Sequence, residues 1–371
     1  DAEGLASVRV RFGHVAGVGE VVVTAPTLGY QDTARYTVLP GAPARTAIEP
    51  RDTVVYLDGT ITLRATVADR FGNRRPESPT ITGSAGATVS GTTVRAAGFG
   101  VLRVRATFPG AASDSTTITA LPRERLAATT AYLGGTLVMM DLDGSNRVSV
   151  PLQGIVYGLD WAPDGRVVVA PGSTTATLEA VSSTGEITPF LSNSTASSEA
   201  YPVFSADGKT LFFAGRAAGA TNTDNYLWRA NADGTGVQAT TIPLTFEWGT
   251  SYGPSPDATQ LVFRSTIYDL QTQTGKTLPT GEIESWRWSP LGDLIAFNDI
   301  DTMGVMRPDG TGRRVFSSDY TGFADQSIDW SGDGKYLVFR SNSGSLEIVE
   351  VATGAHAVLP FTSGFTQGAL Q

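Results

Sequence analysis

The sequence predicts an all-β chain, with β-sandwich strands in its first third and a six-bladed β-propeller after them. Three observations carry this. A short block recurs five times at propeller spacing, alternating apolar and polar residues mark half-buried strands ahead of it, and no stretch keeps a helical period. Forty-two glycines among 371 residues supply the tight turns that many short strands need.

The repeat is read by setting five lines together. They are LDWAPDGRVVVA from Leu159, PVFSADGKTLFFA from Pro202, GPSPDATQLVFR from Gly253, WRWSPLGDLIAFN from Trp286 and IDWSGDGKYLVFR from Ile328. Each is a short strand, a turn and an apolar strand. The aligned positions are Trp161, Phe204, Pro254, Trp288 and Trp330, in steps of 43, 50, 34 and 42 residues. A strand-only period of roughly 35–50 residues is that of propeller blades. The third copy departs from the pattern, lacking both the aromatic residue and the turn Gly.

A second landmark follows each block, as in NADGTG (231–236) and RPDGTG (307–312), and a sixth copy, DLDGSN (141–146), precedes the first block. These read as hairpin turns in which Gly takes positive φ and Asp caps the turn. Half the copies lack the Asp, so structural calcium is possible but not expected, and no cofactor is expected. Residues 125–152 offer three strands without an inner one, and 365–371 offer an inner strand and then stop. Both are expected in one blade, which closes the ring and removes open edges.

The W-S/A-P-D-G-K-x-L-V-F blocks with D-G-T/S-G/N turns resemble the TolB-type propeller repeats of bacterial envelope proteins, over about residues 125–371. The resemblance implies a six-bladed propeller. It leaves function open, because such blades serve as binding platforms, assembly modules and accessory domains of peptidases.

Residues 41–122 alternate clearly in TITLRATVAD, where Ile61, Leu63, Ala65 and Val67 share one face. With VYLDGTITLRATVADRFGN early, GFGVLRVRAT late and a closing DSTTITALP, this stretch resembles a bacterial Ig-like domain of the invasin/intimin type. Residues 1–40 match only the end of such a domain: GVGEVVVTAP parallels GFGVLRVRAT, and DTARYTVLPG parallels DSTTITALPR. Three strands would leave an apolar face open. Either upstream sequence is missing, or a neighbouring subunit completes the sandwich, with Val8, Val10, Phe12, Val21, Val23, Tyr36 and Val38 at the contact. The expected division is 1–40, 41–122 and 123–371.

Composition excludes several classes. There is no Cys, so thiol chemistry and zinc–thiolate sites are out. Net charge is −9, which disfavours nucleic acid. No apolar run is long enough to cross a bilayer.

GTSYG (249–253) fits G-x-S-x-G, but no helix pattern follows Ser251, and the two histidines, His14 and His356, have no evident route to it. The match reads as chance. Asp160 and Asp329 are candidates either for acid–base work across the channel or for hydrogen bonds between blades. The longest polar insertion, RAAGATNTDN (216–225), shares a face with the blade connections. Long loops on a rigid scaffold carry recognition, so partner binding is placed at Arg216, Asn222, Asp224 and Asn225, with Phe246, Trp248 and Tyr252 as an exposed aromatic cluster.

The expected function is non-enzymatic: an extracellular or cell-surface assembly or adhesion protein, with copies of itself or another protein as partner, as in a fibre completed through the amino-terminal half sandwich. The alternative is a soluble envelope protein, periplasmic in that case, that binds a partner through the propeller face. A hydrolase or lyase in the channel ranks last, since no convergent residues point to it.

Overall fold

Alternation decides which side of each early strand turns inward. On the late pair of strands Leu102, Val104, Ala106, Ile118 and Ala120 are buried, while Val101, Arg103 and Arg105 between them are exposed. The computed structural model describes residues 9–130, 135–172, 177–217, 225–244, 251–280, 283, 285–299, 302–317, 328–341 and 343–371. It divides into two units, 1–120 and 121–371.

The first unit contains β1 (Gly17–Ala25), β2 (Tyr30–Val38), β3 (Pro43–Glu49), β4 (Thr53–Tyr56), β5 (Thr60–Thr62), β6 (Arg64–Asp69), β7 (Thr80–Gly83), β8 (Ala87–Ser90), β9 (Thr93–Ala96), β10 (Gly100–Thr107) and β11 (Asp114–Leu121). Sheets β4-β11-β10-β7, β3-β6 and β5-β9-β8 enclose one core built on Ile48, Leu63, Val94, Leu102, Val104 and Ile118. Strands β1 and β2 form a separate hairpin.

Two strands, not three, form between residues 9 and 40, since 9–16 carry none. Val10, Phe12 and Val23 are 40 %, 52 % and 54 % exposed, Val21, Tyr36 and Val38 are half-buried, and Val8 lies outside the described residues. Val21 pairs with Ala34, whereas Leu102 at the parallel place pairs with Ile118. The shift of two residues keeps the same side chains on the same face. It has a local cause. Tyr36 sits opposite Gly19, where any Cβ would lie 2.4 Å from its ring, and the ring packs on Phe12 with centroids 4.4 Å apart.

Asn73 and Asp69 join the hairpin to the unit. Asn73 accepts from the Ala16 amide at 2.8 Å and donates to the His14 carbonyl at 2.7 Å and to Asp69 Oδ2 at 2.8 Å. Asp69 also accepts from the Gly41, Phe71 and Asn73 amides. The Asn73 side chain, ahead of these backbone donors, holds the Asp69 carboxyl far below its ordinary range.

Among the described residues of the second unit, six four-stranded antiparallel sheets follow one another. Their inner strands are Ile155–Trp161, Ala196–Phe204, Tyr252–Pro254, Ser285–Trp288, Ile328–Trp330 and Gln367–Leu370. Each inner strand contacts the next, and the last contacts the first, so the sheets form a closed ring of six blades. The closing blade takes Arg125–Thr129, Thr136–Asp141 and Val148–Pro151 from one end of the unit and Gln367–Leu370 from the other.

The turns explain the repeat. Asp309 Oδ1 accepts from the Thr311 amide and hydroxyl at 2.9 and 2.7 Å, beside Gly310 at φ 85°, and Asp143 and Asp233 cap their turns in the same way. In the third blade Ala258 stands where the other turns have Gly, and it adopts the left-handed φ of 56° that the turn demands.

Candidate functional site

Six equivalent positions ring the propeller axis, one residue before each repeat position: Asp160, Val203, Gly253, Arg287, Asp329 and Ala369. The three without charge leave room, and Arg287 occupies it. Its Nε donates to Asp329 Oδ1 at 3.1 Å, and its Nη2 lies 3.8 Å from Asp160 Oδ2. All three residues are less than a tenth exposed.

Both carboxylates also accept backbone bonds from the following blade. Phe204 N donates to Asp160 at 2.8 Å, and Leu370 N donates to Asp329 at 3.0 Å. Of the two roles considered for these Asp residues, the hydrogen bond to the next blade is the one the geometry shows, and the same carboxylates also flank one cation. Acid–base pairing across an open channel is replaced by a closed Asp–Arg–Asp cluster.

Burial lifts the Asp160 carboxyl, Arg287 opposes that, and Asp329 adds to it, leaving Asp160 pushed up to about 7. Burial also raises Asp329, against Arg287 and the backbone donors. Burial pulls the Arg287 guanidinium down, but its two carboxylates outweigh this and leave it above its ordinary value.

Above the cluster lies a cavity of about 300 Å³, walled by Trp161, Phe204, Trp288 and Trp330 and rimmed by Pro163, Ala206, Pro290 and Gly332. The rim belongs to the turns between first and second strands. The cavity is therefore on the face opposite Arg216 and Asn225, the described ends of the insertion that the sequence favoured.

The Trp residues are positioned by the ring itself. Trp330 Nε1 donates to the Arg287 carbonyl at 3.1 Å, and Trp161 Nε1 donates to the Ala369 carbonyl at 3.2 Å, each reaching the preceding blade. Trp288 instead bonds the Gly292 carbonyl of its own turn. Against it stands Gly253, where a Cβ would lie 3.0 Å from the Trp288 amide, so this seam packs backbone on backbone.

Of the partner-binding candidates, Tyr252 is corrected. It is fully buried, not exposed, and its hydroxyl donates to the Tyr201 carbonyl at 2.5 Å, with burial raising its pKa well above 10. The cause is strand membership: it opens the third inner strand rather than a connection. Arg216 and Asn225 face each other across one hairpin, Nε to Oδ1 at 3.2 Å, both half-buried. Asn222, Asp224, Phe246 and Trp248 lie outside the described residues.

Ser251 is no nucleophile elbow in geometry. It is buried, its Oγ accepts from the Trp286 amide at 3.0 Å, and a strand follows it. His14 stacks on Phe71 in the first unit, while His356 lies exposed in an outer strand of the second. Among the described residues, no three His, Asp or Glu side chains converge as metal ligands, and no helix is long and apolar enough to cross a membrane.

No family model matches the chain. A 70-residue stretch, 18 % of the chain, is 40 % identical to the Tol-Pal system protein TolB of Gluconobacter oxydans (strain 621H), and it spans only 15 % of that protein. Among solved structures, TolB from Acinetobacter baumannii matches with a TM-score of 0.51 at 13 % identity, over 88 % of this chain and 99 % of that one. A nidogen/laminin complex matches with a TM-score of 0.46 at 13 % identity, over 67 % of this chain and 98 % of that one. At such identity the TolB likeness is one of fold: an all-β chain carrying a TolB-like propeller.

Proposed function

We propose that this is a non-enzymatic protein of the bacterial cell envelope, periplasmic by its TolB likeness, whose propeller binds a protein partner at the axial cavity. The observation that carries this reading is the cavity itself. It is a concave, aromatic-walled opening with Arg287, Asp160 and Asp329 in its floor, which is how recognition sites combine apolar walls with a few placed polar groups. The residues 41–122 are read as an Ig-like module that serves as a spacer.

Ala206 is exposed on the cavity rim and touches none of the buried charges' hydrogen bonds. A photo-crosslinker there, in cells of the source bacterium, is expected to trap one defined protein. The variant Ala206→Trp, which fills the opening, is expected to remove that capture while leaving the melting temperature unchanged. Capture that survives the plugged cavity overturns the reading.

A second reading, assembly through the amino-terminal hairpin, rests on the exposure of Val10, Phe12, Val18, Val22 and Val23. In a globular chain such a cluster is a contact surface more often than a free one. Light scattering is expected to give a mass above one chain, falling to one when residues 1–40 are deleted. A monomer at high concentration rejects assembly and leaves the propeller reading standing.

A further inference from the structure

Charge is divided unevenly along the chain. Residues 1–120 hold twelve Arg, no Lys and ten acidic residues, whereas 121–371 hold fifteen basic and twenty-six acidic residues. A basic module is thus carried by an acidic protein, and its arginines are not spread evenly. Four of them, Arg45, Arg51, Arg64 and Arg74, line one groove of about 630 Å³ across the outer face of β3 and β6.

Strand register builds the groove. Arg45 pairs with Ala68, which bridges to Arg74, while Arg64 lies four residues back along β6, opposite Glu49. At about 3.3 Å per residue, the two ends are roughly 13 Å apart. Between them the outward residues are small: Ala47, Thr66 and Ala68.

Elsewhere in this unit three arginines have ion pairs, Arg35 with Glu20, Arg75 with Glu77 and Arg95 with Asp58, while others such as Arg103 stand singly on the surface among the described residues. In the groove only Arg51 has one, with Asp114. The side chains of Arg45, Arg64 and Arg74 have no hydrogen bond or ion pair among the described residues, although Glu49 sits directly across from Arg64. Three guanidinium groups without a protein partner among those residues, each a planar fork that matches carboxylate or phosphate oxygens, are carried from backbone positions of fixed spacing beside small side chains.

We propose that this groove binds an anionic polysaccharide, a glycan chain bearing carboxylate or phosphate groups. The lining favours that occupant over other polyanions. It contains no aromatic side chain on which bases of a single-stranded nucleic acid stack. It offers no apolar side chain of the kind that inserts among lipids. The hydroxyl of Thr66 and the open carboxylate of Glu49 suit a ligand that carries hydroxyl groups between its charges.

The test is titration of the whole chain with polygalacturonate, with neutral dextran, phosphatidylglycerol vesicles and duplex DNA as comparisons. Polygalacturonate is expected to bind. Binding should weaken steeply from about 0.1 M to about 1 M salt, where the screening length falls from about 10 Å to about 3 Å. The variant Arg45→Gln/Arg64→Gln/Arg74→Gln should bind at least about tenfold more weakly, since charge-assisted bonds to anions are the stronger ones. Arg103→Gln, at an exposed Arg on β10 outside the groove lining, should bind as the parent does. Should the triple variant melt early, the single variant Arg64→Gln must still show a partial loss. Absence of polygalacturonate binding, equal binding by the triple variant, or stronger binding to vesicles or DNA than to the glycan each overturns the proposal.

Discussion

Removal of residues 366–371 is expected to unfold the whole propeller rather than fray one end. Those residues supply the inner strand of the closing blade, pairing Leu126 with Leu370 through Thr129 with Gln367. Their loss strips the edge of Arg125–Thr129, which is buried from Leu126 onward. It also orphans partners in two other blades. Trp161 Nε1 loses the Ala369 carbonyl, and Asp329 Oδ2 loses the Leu370 amide. Buried polar groups left unpaired cost about 1–3 kcal/mol each, and the lost apolar contacts of Ala369 and Leu370 add to this. The sum exceeds about 5 kcal/mol, comparable to the entire stability of many domains. Thermal melting followed by Trp fluorescence checks it. A truncated chain that melts within a few degrees of the parent would show that the ring does not depend on this clasp.

Arg287→Ala is the second large effect, expected to destabilise the propeller by about 3–5 kcal/mol at neutral pH, because it leaves two buried carboxylates without their cation. The pH dependence follows from the sign of the shifts. Asp160 is raised in the folded state, so its contribution to stability is fully present below its unfolded value near 3.8 and is lost as pH rises through about 7. Without Arg287 both carboxylates are raised further. The deficit of the variant should therefore shrink toward pH 5, where they hold protons, and widen toward pH 8. Denaturant unfolding at these two pH values measures it. The variant Asp160→Asn/Arg287→Met/Asp329→Asn, which removes all three charges, should recover part of the loss and flatten the profile. A deficit for Arg287→Ala that is equal at both pH values would mean the cluster's charges do not govern its stability.

How much of this was legible beforehand follows from which residues obey a local rule. The inner strands and their turns announced themselves because each blade must place a large side chain at one position and a left-handed residue a few places later, as at Trp330 and Gly334. Blade three hid both signals, since Pro254 and Ala258 fill those roles with unusual residues, and the same obscurity made Tyr252 look like part of a connection. Asp160 and Asp329 could be singled out, but Arg287 could not be joined to them by reading along the chain. Its partners are about 40 and 130 residues away, and only the column 160, 203, 253, 287, 329, 369, read across the repeat, brings them together. The basic groove was hidden for a different reason. A net charge of −9 averages over two units of opposite sign, and the arginines meet only once β3 and β6 are in register.

The axial column also bears on orientation. A ring of six similar blades offers a bound group six nearly equivalent rotational poses. In this ring the order is Asp160, Val203, Gly253, Arg287, Asp329 and Ala369, so charged and uncharged positions follow no six-fold pattern and the poses are no longer degenerate. Selecting one of six costs a ligand about 1 kcal/mol in rotational entropy, from RT ln 6, and a polarised floor returns that amount only to a ligand whose own charge asymmetry matches. For the partner proposed above, the broken symmetry of the floor would act as a compass, fixing the direction in which it leaves the propeller mouth.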